Sequence, residues 1–215
     1  MNKDLYLPEH IRTTAFFTGH RLLSQAETES VSLSVSECIM NAYFQGYRRF
    51  ICGGALGFDT ISALQVIKLK KKYPEMILSL AIPCPSQPDL WPENDRRIYL
   101  NILDHADEKT ILFPAYERGV MLSRNRYMAD RSSMCICYMK KAMGGTAYSV
   151  RYALQYPYMK IINLAVGMDC GKEQMREERW NYTYIFPSAS ENAVIVPLSL
   201  SPAKKLIMKN TSHSY

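Results

Sequence analysis

The chain has 215 residues, 47% of them hydrophobic and 21% charged, with a formal net charge of +6. This composition excludes a disordered or fibrous chain, and the length suffices for one sizeable core. No apolar run reaches the roughly 18 residues of a membrane helix, and the N-terminus lacks a basic segment followed by an apolar one, so a cytoplasmic protein with no membrane partner is expected.

A β-branched and aromatic run at residues 13–18 ends at Gly19 and reads as the first strand. Val31, Val35, Cys38, Ile39 and Ala42 recur at helical spacing, and Gly46 can end that helix before a second strand at residues 49–52. Gly53 and Gly54 close this strand. Gly57, Phe58 and Asp59 open a helix whose apolar face is expected to carry Ile61, Leu64, Val66 and Ile67. A third strand follows at 76–82. Pro83, Pro85 and Pro88 stiffen a loop that carries Gln87 and leads into a helix at 91–106, starting at Trp91, and a strand at 110–113. A helix at 120–130 contains Arg124 and Asn125 and leads to a fifth strand at 134–139. The turn Gly144-Gly145-Thr146 then opens a helix at 146–155, and a sixth strand spans 160–164.

Strands alternating with single helices predict an α/β fold: a Rossmann-like parallel sheet with helices on both faces, within a domain at residues 1–165. Residues 166–215 differ in texture. They are polar and charged at 169–180, alternate aromatic and β-branched side chains at 182–186, and turn apolar at 193–198. They are expected to form a C-terminal extension packed on the same domain, with a mobile tail, and to offer an edge for pairing two copies in a homodimer. Six cysteines, Cys38, Cys52, Cys84, Cys135, Cys137 and Cys170, stand outside any CxxC pair and read as reduced core thiols. No histidine or second cysteine pair is spaced to complete a metal site, so neither a metal nor a cofactor is expected.

In open parallel sheets ligands sit beyond the carboxyl ends of the strands, where the strand order reverses. Gly19, Gly53-Gly54 and Gly144-Gly145 all fall at such ends. Glycine permits close approach of backbone amides to an anion, and the positive end of the following helix favours it. Thr146 is placed to cap that helix or to donate to a phosphate oxygen. The expected cradle is the backbone at Gly53, Gly54, Gly144 and Gly145, with Arg21 and Arg124 adding charge-assisted hydrogen bonds and Asp59 or Asn125 meeting sugar hydroxyls. Ala55 and Gly57 belong to the same turn. His20 is either a ligand donor or a surface residue, and Trp91 either stacks on a base or packs on its helix. The spacing GxGxxG is absent, which argues against a nicotinamide or flavin site.

The segments Phe17-Thr18-Gly19-His20-Arg21, Gly53-Gly54-Ala55-Leu56-Gly57-Phe58-Asp59 and Arg124-Asn125-Arg126-Tyr127-Met128-Ala129-Asp130 resemble the SLOG superfamily, which joins the DNA-processing protein DprA (SMF) with the LOG phosphoribohydrolases. Gln87, Trp91, Arg97, Tyr99 and the run from Gly144 to Ala153 most resemble its YpsA-type branch. The resemblance implies a Rossmann-like domain that binds a nucleotide or nucleotide-derived phosphate ligand, as sensor, carrier or sequestering protein. LOG enzymes carry a catalytic glutamate in the helix after the glycine turn; here that position reads Ser149, which points away from an enzyme, with Asp59 and Asp130 as the carboxylates that remain. Nucleoside monophosphate hydrolysis and DprA-like binding of single-stranded DNA stand as the alternative readings, the latter needing a basic groove lined with aromatic platforms.

Overall fold

The computed structural model describes residues 7–165. The extension at 166–215, Cys170 and the edge expected to pair two copies lie outside the described residues. A short helix, α1 (Glu9–Arg12), precedes six strands: β1 (Thr14–Gly19), β2 (Arg49–Cys52), β3 (Ile77–Ile82), β4 (Glu108–Ile111), β5 (Met134–Tyr138) and β6 (Lys160–Asn163). Between them run α2 (Gln25–Phe44), α3 (Phe58–Lys70), α4 (Glu93–His105), α5 (Val120–Asp130) and α6 (Gly145–Ala153). All pairings are parallel, in the order β4-β3-β2-β1-β5-β6. The chain therefore moves outward from β1 to β4, crosses back, and continues from β5 on the other side. This α/β architecture is Rossmann-like, and its switch point lies between β1 and β5.

The sheet's pleat sorts the core into two layers. Ala15, Phe17, Phe50, Leu78, Leu80 and Ile136 face one way, onto Val35 and Ile39 of α2, Val66 of α3 and Ile102 of α4. Phe16, Ile51, Ala81, Cys135, Cys137 and Ile161 face the other, onto Met128 of α5 and Val150 and Ala153 of α6. Strands buried on both faces read as continuous apolar runs, which is why β1 and β5 stand out in the sequence. Each fully buried aromatic or aliphatic side chain contributes about 1.5–3 kcal/mol relative to exposure.

The local signals for these elements are chemical. Ser24 and Glu27 form a reciprocal capping box at the start of α2, each side chain bonding the other's backbone amide. β4 lies at residues 108–111 rather than 110–113. It is an edge strand with alternating burial, so its apolar content is a poor marker, and its start is fixed by Arg49 pairing with Glu108 and by the Asp107 carboxylate accepting from the Leu78 amide at 2.7 Å. The buried face of α3 also differs from expectation. Phe58, Ser62, Ala63 and Val66 point inward, so small side chains take much of the buried face, while Ile61, Leu64 and Ile67 are only partly buried and pack at the margin of the core. Cys38, Cys52, Cys84, Cys135 and Cys137 are all buried and free. Among the described residues there is no cluster able to hold a metal ion and no helix long and apolar enough to cross a membrane.

Candidate functional site

A cleft of about 280 Å³ opens at the carboxyl edge of the sheet, at the β1/β5 switch. β1 contributes Thr18 and Gly19, and the loop after it His20 and Arg21. The β2–α3 connection contributes Ala55 and Asp59. One wall is α5, through Met121, Leu122, Arg124, Asn125 and Met128; the start of α6 supplies Gly145 and Thr146. Four segments far apart in sequence thus meet because each follows, or packs against, a strand end beside the switch.

At the α6 side the backbone is open. Gly144 is the N-cap, at φ 91°, and no side chain caps the helix, so its first-turn amides have no intrahelical acceptor. Thr146 is therefore not the cap. It is the second helical residue, 8% exposed, with no hydrogen bond to its hydroxyl among the described residues. Arg21 is exposed and lines the same cleft. His20 is held in one tautomer: its Nε2 accepts from the Lys140 amide at 2.8 Å, which leaves Nδ1 as the protonated nitrogen. Burial, then Lys140 and Lys141, push its pKa below the ordinary value against the pull of Glu27.

The floor is a buried charge pair. Asp59 and Arg124 approach to 3.8 Å, with both residues only 5% exposed. Burial raises the Asp59 pKa, opposed by Arg124 first, then by the Ala55 amide and Arg21. Burial likewise lowers that of Arg124, opposed by Asp59. Attraction at the outer limit of ion-pair distance does not recover what desolvation costs. Arg124 also donates through Nη1 to the Gly53 carbonyl and through Nε to Asn125 Oδ1 at 2.8 Å.

Of the residues expected at the site, Gly19, His20, Arg21, Ala55, Asp59, Arg124, Asn125, Gly145 and Thr146 come together in this cleft. Gly53, Gly54, Gly57, Gln87, Trp91 and Gly144 do not line it. The Gly53 and Ala55 amides serve the Asp59 carboxylate, at 3.3 Å from Ala55, so the second glycine turn wraps an anion of the protein itself. A Cβ on Gly53 would overlap the Arg124 guanidinium. Gln87 braces this turn by donating from Nε2 to the Gly54 carbonyl at 2.9 Å, and its buried Oε1 has no partner among the described residues. Gly57, at φ 75°, leaves no space for a Cβ beside the carbonyls of His20 and Arg21, which seats the β1 loop on α3. Trp91 packs edge-on against Tyr99, ring centroids 5.3 Å apart, and so serves its own helix.

The two remaining carboxylate and hydroxyl expectations resolve similarly. Ser149 is fully buried and donates to the Gly145 carbonyl at 2.9 Å. Asp130 accepts from Tyr152 and Tyr156 at 2.9 and 2.6 Å, away from the cleft. Thr18, Met121, Leu122 and Met128 line the site without having been singled out as site residues. Thr18 and Met128 read as strand and core, and Met121 and Leu122 as ordinary helix; the signal for Thr18 was its place just before Gly19 at a strand end.

The family model described as the YspA SLOG family (YpsA) matches residues 22–166, more than half of the chain, and the chain belongs to that family. It is 30% identical over 117 residues to the SPbeta prophage-derived protein YoqJ of Bacillus subtilis, which covers 49% of this chain and 68% of that protein. It is also 30% identical over 112 residues to a UPF0398 protein of Halalkalibacterium halodurans, covering 51% of this chain and 59% of the relative. Among solved structures, DNA processing protein A (DprA) from Streptococcus pneumoniae is similar with a TM-score of 0.51 at 16% identity, over 71% of this chain and 50% of that one. That likeness is one of fold. The chain spans only part of each of these relatives.

Proposed function

From this family membership and the geometry of the cleft, we propose that the protein binds a nucleotide-type small molecule through its phosphate, as a sensor, carrier or sequestering protein. The observation that carries the reading is the meeting of the uncapped first turn of α6, at Gly145 and Thr146, with exposed Arg21 across the switch-point cleft. Unpaired amides and the positive helix end favour an anion, and an arginine adds paired, charge-assisted hydrogen bonds. Charge bookkeeping agrees: Asp59 is offset mainly by Arg124 and less by Arg21, His20 is biased toward neutral, and Arg21 is exposed toward the cleft.

Binding rather than turnover is favoured because the helix after the glycine turn places a buried serine where a hydrolase of this superfamily would need a carboxylate. A thermal-shift screen over nucleoside phosphates, with product analysis of every hit, tests the reading. A ligand at 100 times its Kd stabilises by about 2.7 kcal/mol, well above detection. A shift by an unaltered nucleotide supports binding, whereas base release would replace it with hydrolysis.

A further inference from the structure

We infer that the cleft floor is a subsite for the vicinal diol of a ribose, read by Asp59 and Asn125, so that the unit recognised is a ribosyl phosphate rather than an anion alone; the inference rests on the phosphate reading above. Asp59 and Asn125 are 5% and 7% exposed, and both line the cleft. The Arg124 guanidinium orients the two. Its Nε bond fixes Asn125 Oδ1 as the inward end of the carboxamide, so Nδ2 is the other end. That amide has no hydrogen-bond partner among the described residues, yet it is not among their sealed, unsatisfied atoms, of which Gln87 Oε1 is the example. Nδ2 is therefore open to the cleft.

The Asp59 carboxylate divides in the same manner. Oδ2 takes the Ala55 amide and faces Arg124, the Gly53 amide also supports the carboxylate, and Oδ1 is likewise not sealed. Asp59 and Asn125 thus flank the Arg124 guanidinium in one cleft, the first presenting a carboxylate oxygen and the second an amide donor. Each hydroxyl of a vicinal diol is both donor and acceptor, so the pair can donate to Asp59 through one hydroxyl and accept from Asn125 through the other. An acidic side chain reading ribose hydroxyls while amides hold the phosphate is a recurrent division of labour in sheets of this type. A phosphate group would be repelled by Asp59, which confines it to the α6 and Arg21 side. The cleft volume, about 280 Å³, lies just below the usual range of ligand pockets, roughly 300–1,000 Å³, and suits a sugar phosphate with any base left toward Met121 and Leu122.

Calorimetric titration of the full chain with ribose 5-phosphate, 2-deoxyribose 5-phosphate and inorganic phosphate tests this subsite. The expected result is that ribose 5-phosphate binds at least about 10-fold tighter than the deoxy sugar, since a site built to bond a hydroxyl rejects the analogue lacking it. In Asp59→Asn the discrimination should fall below about 3-fold while inorganic phosphate binds no more weakly, an outcome that general damage to the site would not give. Asn125→Ser, which leaves the Asp59–Arg124 pair intact, should also lower the discrimination and serves if Asp59→Asn does not fold. Equal binding of the two sugars overturns the diol subsite and leaves the phosphate reading standing. Failure of all three compounds to bind overturns both.

Discussion

The Arg124 guanidinium stands 3.8 Å from the Asp59 carboxylate beneath the Gly53 turn, with both side chains buried and Asn125 held on its other flank. Removing one member of a buried pair leaves the other uncompensated, which costs about 3–5 kcal/mol. Arg124→Met should therefore lower stability by about 3 kcal/mol in urea denaturation, and it also frees the Gly53 carbonyl. A loss below about 0.5 kcal/mol, the size of an ordinary surface substitution, would show that Arg124 does not hold the floor together.

Gly145→Asp separates fold from ligand. No atom lies within 4 Å of a Cβ built there, and Gly145 is not among the positive-φ glycines. An acidic residue in the first turn also complements the helix dipole. Stability should stay within about 0.5 kcal/mol of the parent, while affinity for a nucleoside monophosphate falls at least about 10-fold, that is, by at least about 1.4 kcal/mol.

The loops that frame the cleft carry a pH signature. Hydrogen bonds from Lys140 and Ser24 lower the Glu27 pKa from 4.5 to about 2, and Tyr138 adds a third contact. A depressed carboxyl pKa gives stability that is present above the unfolded value and lost as pH falls through the folded one. Glu27→Gln should thus flatten the stability profile between about pH 4.5 and about pH 2, read from urea midpoints at successive pH values. An unchanged profile would mean that Glu27 contributes nothing across that window.

His20 acts in a higher window with the same sign. Its pKa is lowered, so neutral His20 is favoured and the contribution is present above the ordinary 6.5 and lost as pH falls through the folded value. Protonation puts a proton on Nε2 and breaks the bond from the Lys140 amide. Amide exchange at Lys140 should accelerate, beyond the intrinsic pH effect, as His20 is protonated below pH 6.5, and His20→Ala should lack that step. No such step in the parent protein would contradict the tether.

Much of the architecture was legible because parallel strands buried on both faces announce themselves. Residues 49–52 and 120–130 match β2 and α5 at both ends, and the other core strands shift by only a residue or so. The edge strand β4 was misplaced because half of its side chains face water, leaving Glu108 and Asp107 to define it through ion pairs and an amide contact that spacing does not reveal. At the site, glycines after strand ends located the cleft, since that inference depends only on topology. Their individual duties were not legible. Whether the Gly53 amide faces a ligand or Asp59, and whether Gln87 and Trp91 face the cleft or brace their own loop and helix, depends on side-chain directions set by tertiary contacts. The methionine and leucine wall from α5 escaped notice because apolar residues in a helix read as core until the neighbouring element proves absent.

Backbone amide chemical shifts followed during titration with a nucleoside monophosphate test the location and the nature of the site together. Saturable shifts concentrated at Gly145, Thr146 and Arg21, with the nucleotide recovered unaltered, are the predicted result. Shifts confined to other regions, or no shift at millimolar nucleotide, would contradict phosphate binding at the α6 end of the cleft.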